Sequence, residues 1–282
     1  MADLVDSHYL GSAENIDLDI RNRKKLKANQ MHIEIIGSTS AGKTTLAKKM
    51  VEAGLENGTA VSMSDDFMLD QMHLNWVGNE FIRRRLVEAI AFAIALTRMS
   101  KYREFMDFVI LEGRNSPGSW FYKINRIRNV IRKIGIFEFI ARRSGSQHVV
   151  LADNEGILQG VHNLFVHQNS HADLGKIAQY VELIPLPDVI LYLQQEEDIL
   201  ISRTLARGHG RVKNTQDEVA HFIKQAVGVF NEMVKLPILQ RRLLILNGEL
   251  NVEYNGGDSE NAVFCQVINL AKSGRTTSLA TP

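Results

Sequence analysis

The sequence predicts an α/β fold in which a parallel sheet forms the middle of three layers. Three observations carry this expectation. Stretches at 33–36, 149–152 and 189–193 are predominantly apolar rather than alternating, with Glu34 the one charged residue, as expected of strands covered on both faces. Segments of helical period separate them. Glycines or acids follow directly on the strand ends, in "IIGSTSAGKTT", "SMSDDF" and "VVLADNEG". Ligands of such sheets sit beyond the carboxyl ends of the strands.

The elements follow in order. Residues 1–29 carry little apolar periodicity and end in the basic "RNRKKLKANQ", which reads as an N-terminal arm. The first strand precedes a glycine-rich turn, and a helix runs from Lys43 to the stop at Asn57 and Gly58. "TAVSMSDDF" reads as a second strand ending in acids, and 80–102 as a long helix. "FMDFVILEGRNSPGSW" reads as a short helix and then a loop broken at Pro117 and Gly118. In the helix 120–143, Trp120, Ile124, Ile127, Ile131 and Ile134 share one face, expected to be buried. Lys123, Arg126, Arg132 and Lys133 lie opposite, expected to be solvated. Strands at 148–156 and 188–193 flank a helical stretch reaching Leu183. A helix then leads into "RTLARGHGR", followed by a helix at 215–235, the strand "RRLLILNG" and a last helix at 258–273. One domain over 30–274 is expected, with a helical insertion at 70–147 and a lid at 203–214. A frayed tail follows at 275–282.

Bulk properties narrow the function classes. The 282 residues carry 33 Lys and Arg against 32 Asp and Glu, a balance that argues against a general nucleic-acid binder. Cys265 stands alone, which excludes an internal disulfide and suggests a reducing compartment. The first residues are polar and acidic, and the longest apolar run, "AIAFAIAL", is too short to span a bilayer. A cytoplasmic location is the simplest expectation.

The sharpest motif is the turn. Gly37, Ser38, Thr39, Ser40, Ala41, Gly42, Lys43, Thr44 and Thr45 match the phosphate-loop spacing G-x-x-x-x-G-K-[ST]. Its glycines let successive N–H groups point into one concavity, and the following helix adds its positive end. Lys43 is expected on the β- and γ-phosphates of ATP, and the Thr44 hydroxyl on Mg²⁺. Asp153, at the end of "VVLA", is the expected second metal-side ligand, and Glu155 a further metal or nucleophile partner. Asp65 and Asp66 are candidates to accept an acceptor hydroxyl's proton. Arg203, Arg207 and Arg211 recur at four-residue spacing before and between glycines, as on a flap that closes over a transferring phosphoryl group.

Taken together, "GSTSAGKTT", "SDDF", "VVLADNEG", "DVILYL" and "RTLARGHGR" resemble the phosphate-loop nucleoside and nucleotide kinases, the group of thymidylate-kinase-like and uridine-kinase-like enzymes. The resemblance spans 31 to about 215. It implies a five-stranded parallel core, an arginine-bearing lid, and phosphoryl transfer from ATP with Mg²⁺ to a small acceptor bearing a hydroxyl or phosphate. "ADNEG" departs from the Asp-Arg pair of thymidylate kinases, which leaves the acceptor open. Two other readings remain at this point. A polynucleotide 5′-hydroxyl kinase would use the basic helix 120–143 as a nucleic-acid track. A nucleotide-gated partner protein or slow ATPase would use the same helix to meet a protein or membrane.

Overall fold

The computed structural model describes residues 30–143, 148–153, 156–167, 173–247 and residue 267. Five strands form one sheet: β1 (Gln30–Ile36), β2 (Ala60–Met63), β3 (His148–Ala152), β4 (Val189–Gln194) and β5 (Leu243–Asn247). All pairs are parallel, in the order β2-β3-β1-β4-β5. The five-stranded parallel α/β fold is therefore as expected. Consecutive strand residues point to opposite faces. Ile33, Glu34, Ile35 and Ile36 are all fully buried, so both faces of β1 are covered. Neighbours in β3 divide the same way: Val149 and Leu151 join the main core, while Val150 joins a smaller one with Phe67, Met68, Phe139 and Ile140.

The helices are α1 (Lys43–Glu56), α2 (Ser64–Gln71), α3 (Glu80–Thr97), α4 (Arg103–Asn115), α5 (Trp120–Arg142), α6 (Gly160–Phe165), α7 (Leu174–Leu183), α8 (Glu197–Arg207), α9 (Gln216–Met233) and α10 (Pro237–Gln240). Local chemistry starts several of them. The Asn79 side chain accepts from the Ile82 N–H at the head of α3, and Asp173 accepts from Gly175 and Lys176 at the head of α7. Pro237 opens α10, where a missing N–H costs nothing.

Four expectations shift. The second strand ends at Met63, and its acids fall in the first turn of α2, where carboxylates favour the helix dipole. The helix expected over 80–102 ends at Thr97. The stretch up to Leu183 is two helices, α6 and α7. The fourth shift is in α5. Trp120 is 72% exposed and Ile124 40%, so the start of the apolar stripe is not a core face. Further along, Val130 and every residue from Arg132 to Ile136 are buried, the two cations included. Burial on α5 changes along the helix axis rather than around it. The arm 1–29, the tail 275–282 and the helix at 258–273, apart from the buried helical residue Val267, lie outside the described residues.

Helices α3 and α5 meet at Gly135. A Cβ there would lie 1.7 Å from the Ala91 carbonyl oxygen, backbone that a side-chain rotation cannot clear. Gly135→Ala is expected to cost about 3 kcal/mol of unfolding free energy through overpacking. Gly228→Ala, where a Cβ meets nothing within 4 Å inside α9, is expected to gain about 0.5 kcal/mol. Urea unfolding of the pair checks both signs.

Candidate active site

The order of the strands reverses between β1 and β4, and the phosphate loop lies at that point. Gly37 leaves β1 at φ 150°, and a Cβ on it would lie 2.7 Å from the Leu193 carbonyl of β4. Gly42 caps α1 at φ 95°, a value side chains rarely tolerate. These two positions allow the loop to curl over the sheet edge. Inside the curl the Lys43 ammonium donates to the carbonyls of Gly37 at 3.0 Å and Ser38 at 2.8 Å. Burial is the main force lowering its pKa to about 8; Asp153 opposes the shift, and Lys133 and Arg207 add to it. A charge held in this way gains from any polyanion entering the loop. The Thr44 hydroxyl donates to Asp153 Oδ2 at 2.8 Å, so the two expected metal-side groups are adjacent.

The loop opens into a cavity of about 960 Å³. Its floor is residues 39–45 of the loop and α1. One wall comes from α5 and α3, through Asn129, Arg132, Lys133 and Arg84. A further wall is Arg203 and Arg207 of α8 with the turn through Gly208, His209, Gly210 and Arg211. With Lys43 and Lys49, eight cations line the cavity, and no carboxylate among the described residues does. In a chain of formal charge +1, this is a strong local concentration of positive charge. It is a field for anions. Arg132 is held by Glu88 at 2.7 Å, outside the lining.

Polar contacts hold the α8 wall to the loop. The buried Thr204 hydroxyl donates to Ser40 Oγ at 3.0 Å. Arg211 donates to His162 Nδ1 at 2.7 Å, which leaves the proton of the neutral ring on Nε2, 3.5 Å from Thr39 Oγ1. Burial first, then Arg211 and other cations, hold His162 well below the usual histidine range. His162 is therefore a neutral spacer between the turn that carries Arg211 and the phosphate loop.

The loop is also tied to the sheet interior. Gln159 brackets Gly37, accepting its N–H at 3.3 Å and donating to its carbonyl at 3.2 Å. The Gln159 N–H in turn donates to the Glu34 carboxylate at 2.8 Å, deep beneath the loop. Burial raises the Glu34 pKa to about 7, against the pull of the backbone N–H groups of 157–159 and of Lys133. The sign follows from linkage. Between pH 4.5 and about 7 the folded chain keeps a proton that the unfolded chain releases, so stability falls as pH rises through that window. Unfolding at pH 5 and pH 8 is expected to show a loss on the order of 3 kcal/mol in the native chain from this group. Glu34→Gln is expected to remove that part of the slope.

The sequence-derived candidates distribute unevenly. Residues 39–45, Arg203, Arg207 and Arg211 all line the cavity, Gly37 and Ser38 hold the Lys43 ammonium, and Asp153 lies against Thr44. Asp65 and Asp66 do not line it. Asp66 is exposed and bound to Arg83 at 2.8 Å. Asp65 keeps one carboxylate oxygen buried. It lies in the first turn of α2, just past the carboxyl end of β2, which pairs with β3, the strand that Asp153 follows. Glu155 lies outside the described residues. Lys133, Arg132, Asn129, Arg84, Gln159 and His162 were not singled out for this site by sequence reasoning. The available signal was weak: Arg132 and Lys133 sat in a basic run that resembled an ordinary solvated face.

The fold is similar to those of phosphate-loop small-molecule kinases. Shikimate kinase from Acinetobacter baumannii, solved in complex with shikimate, is 12% identical with a TM-score of 0.38, over 90% of this chain and 99% of that one. Deoxyadenosine kinase from M. mycoides, with bound dATP, is 12% identical with a TM-score of 0.42, over 85% and 100%. Thymidylate kinase from Ehrlichia chaffeensis is 14% identical with a TM-score of 0.41, over 86% and 98%. No protein-family model matches the sequence, and no curated protein matches it. No helix among the described residues is long and apolar enough to cross a membrane.

Proposed function

We propose that the protein is an ATP-dependent kinase of a small acceptor bearing a hydroxyl or phosphate, of nucleoside or nucleotide type. The observation that carries this reading is the cavity itself: a phosphate loop at its floor and arginines from α8 in its lining. A site that only held a nucleotide would need the loop. A site that moves a phosphoryl group also needs positive charge where negative charge shifts as the bond to the β-phosphate breaks. Arg203 and Arg207 supply it, and the glycines at 208 and 210 let the segment carrying Arg211 close and exclude water.

The donor set also fits magnesium. Thr44 and Asp153, with their oxygens 2.8 Å apart, are a hydroxyl and a carboxylate of the kind that holds this hard cation. When bound, Mg²⁺ neutralises phosphate charge. In the proposed transfer an acceptor oxygen bonds to the γ-phosphorus as the bond to the β-phosphate oxygen breaks, and the acceptor proton passes to a carboxylate. Asp65 is the proposed carboxylate, with Glu155 the alternative. The burial of Arg132 and Lys133 in the cavity wall takes them away from any surface track for a polynucleotide.

The test is to supply γ-labelled ATP and Mg²⁺ with pools of nucleosides, nucleotides, sugars and short oligonucleotides, and to follow the label by mass spectrometry. Label on a small acceptor supports the proposal. Label on oligonucleotides alone, or only in inorganic phosphate, overturns it.

A further inference from the structure

The hairpin of α4 and α5 ends in a tip that the proposed reaction does not use. Trp120, Phe121 and Tyr122 open α5 at 72%, 69% and 59% exposure. Successive helical side chains point 100° apart, so three exposed in a row mean that this end stands clear of the body. Ile124 follows on the next turn at 40%, and Leu111, a turn before the end of α4, is 57% exposed.

The tip is nonetheless firmly built. Gly113 of α4 packs against Ile127 of α5. The Lys123 ammonium donates to the Arg114 carbonyl at 2.7 Å, closing the end of α4, and Ser116 Oγ donates to the Gly113 carbonyl at 2.6 Å. Phe121 and Tyr122 meet edge to face with centroids 6.3 Å apart. A rigid end with its largest apolar groups in water is costly to keep unless something covers them.

Charge indicates what does. No Asp or Glu occurs between Glu112 and Glu138; the tip carries Arg114 and Lys123, and Arg126 and Arg128 follow along α5, towards Arg211 and Glu88. Glu112 is itself neutralised by Lys176 at 2.8 Å. An exposed aromatic end with cations and no carboxylate in its own sequence matches the boundary of an anionic bilayer, where Trp and Tyr sit at headgroup depth and Lys and Arg meet lipid phosphates. A single-stranded nucleic acid is the poorer match. It needs ring faces set along a groove, whereas here Phe121 and Tyr122 meet edge to face and aliphatic Ile124 and Leu111 are exposed beside them.

We propose that the α4–α5 tip docks the protein on an anionic lipid surface, with the aromatic trio inserted at the headgroup level. The geometry adds orientation. Asn129, the first residue of α5 in the cavity wall, is nine residues along from Trp120, about 14 Å at helical rise. Docking would hold the cavity at that distance from the lipid surface. The proposal rests on the tip alone and does not require phosphoryl transfer.

The test uses the full chain and vesicles, without nucleotide. Trp76 is the other tryptophan, so Trp76→Phe leaves Trp120 as the sole reporter. Phosphatidylcholine–phosphatidylserine vesicles are expected to shift its emission to the blue and to sediment the protein, with binding lost in high salt. Phosphatidylcholine alone is expected to do neither. Phe121→Ser with Tyr122→Ser is expected to weaken vesicle binding at least tenfold, with circular dichroism and nucleotide binding unchanged. Three results would overturn the proposal: no shift with anionic vesicles, equal binding to neutral ones, or a tip that the same variants show to mediate self-association or oligonucleotide binding instead.

Discussion

Lys43→Met is expected to lower ATP-dependent phosphoryl transfer by about 10³-fold, the scale of removing one preorganised donor from a site where charge develops. The loss should fall on turnover and nucleotide affinity together, because Lys43 sits inside the loop curl rather than at the acceptor end. Folding should hardly change, since an apolar chain of similar length replaces a buried ammonium whose desolvation already opposes its charge. A second readout separates charge from shape. With the free ammonium at about 8, nucleotide binding at pH 9 should draw a proton onto Lys43, because the bound phosphates favour its charged form. Calorimetry in buffers of different ionisation heat measures that uptake, and Lys43→Met should abolish it. Activity left intact in this variant would remove the loop from the chemistry.

Asp65→Asn is expected to cost about 10³-fold in turnover with nucleotide affinity retained, as for loss of a proton acceptor. Asp66→Asn is expected to stay within about twofold of the native chain. The difference follows from position. Asp66 is committed to Arg83 on an exposed surface, where an ion pair contributes little. Asp65 opens α2 at the carboxyl end of β2, next to the strand that leads to Asp153, and keeps a carboxylate oxygen out of water. Single-turnover measurement with saturating nucleotide distinguishes the two. Equal, small effects from both variants would shift the assignment to Glu155, and Glu155→Gln would then be the variant to measure.

The sheet was legible because buried parallel strands announce themselves as predominantly apolar runs, and the phosphate loop because its spacing is dictated by anion geometry. The arginines of "RTLARGHGR" were legible for a similar reason: the helix that carries Arg203 and Arg207 ends at Gly208, and Arg211 follows in the glycine-containing turn. What stayed hidden was tertiary. Lys133 is 1% exposed, yet its neighbours in sequence are those of a solvated face. Only the packing of α3 against α5 at Gly135 explains why that stretch is enclosed all round. Gln159 and Glu34 act through a contact between β1 and a turn 125 residues away, which no local pattern encodes. The acids of "SDDF" were placed on a strand because β2 is short and the following helix begins on Ser64, within the motif itself.

Helix α5 passes from a free end at Trp120 to an enclosed segment at Ile136, and this has a consequence for divergence among related chains. One continuous element answers to two unrelated selections. Substitutions over 130–136 must fit a filled interior and a charged cavity together, so each would need a compensating change on a neighbouring helix. Trp120, Phe121 and Tyr122 are mostly exposed and fill no part of the interior, so they can change with few compensating substitutions inside the protein. A lineage could thus change where the protein resides while leaving its pocket untouched, or retune the pocket without moving the protein.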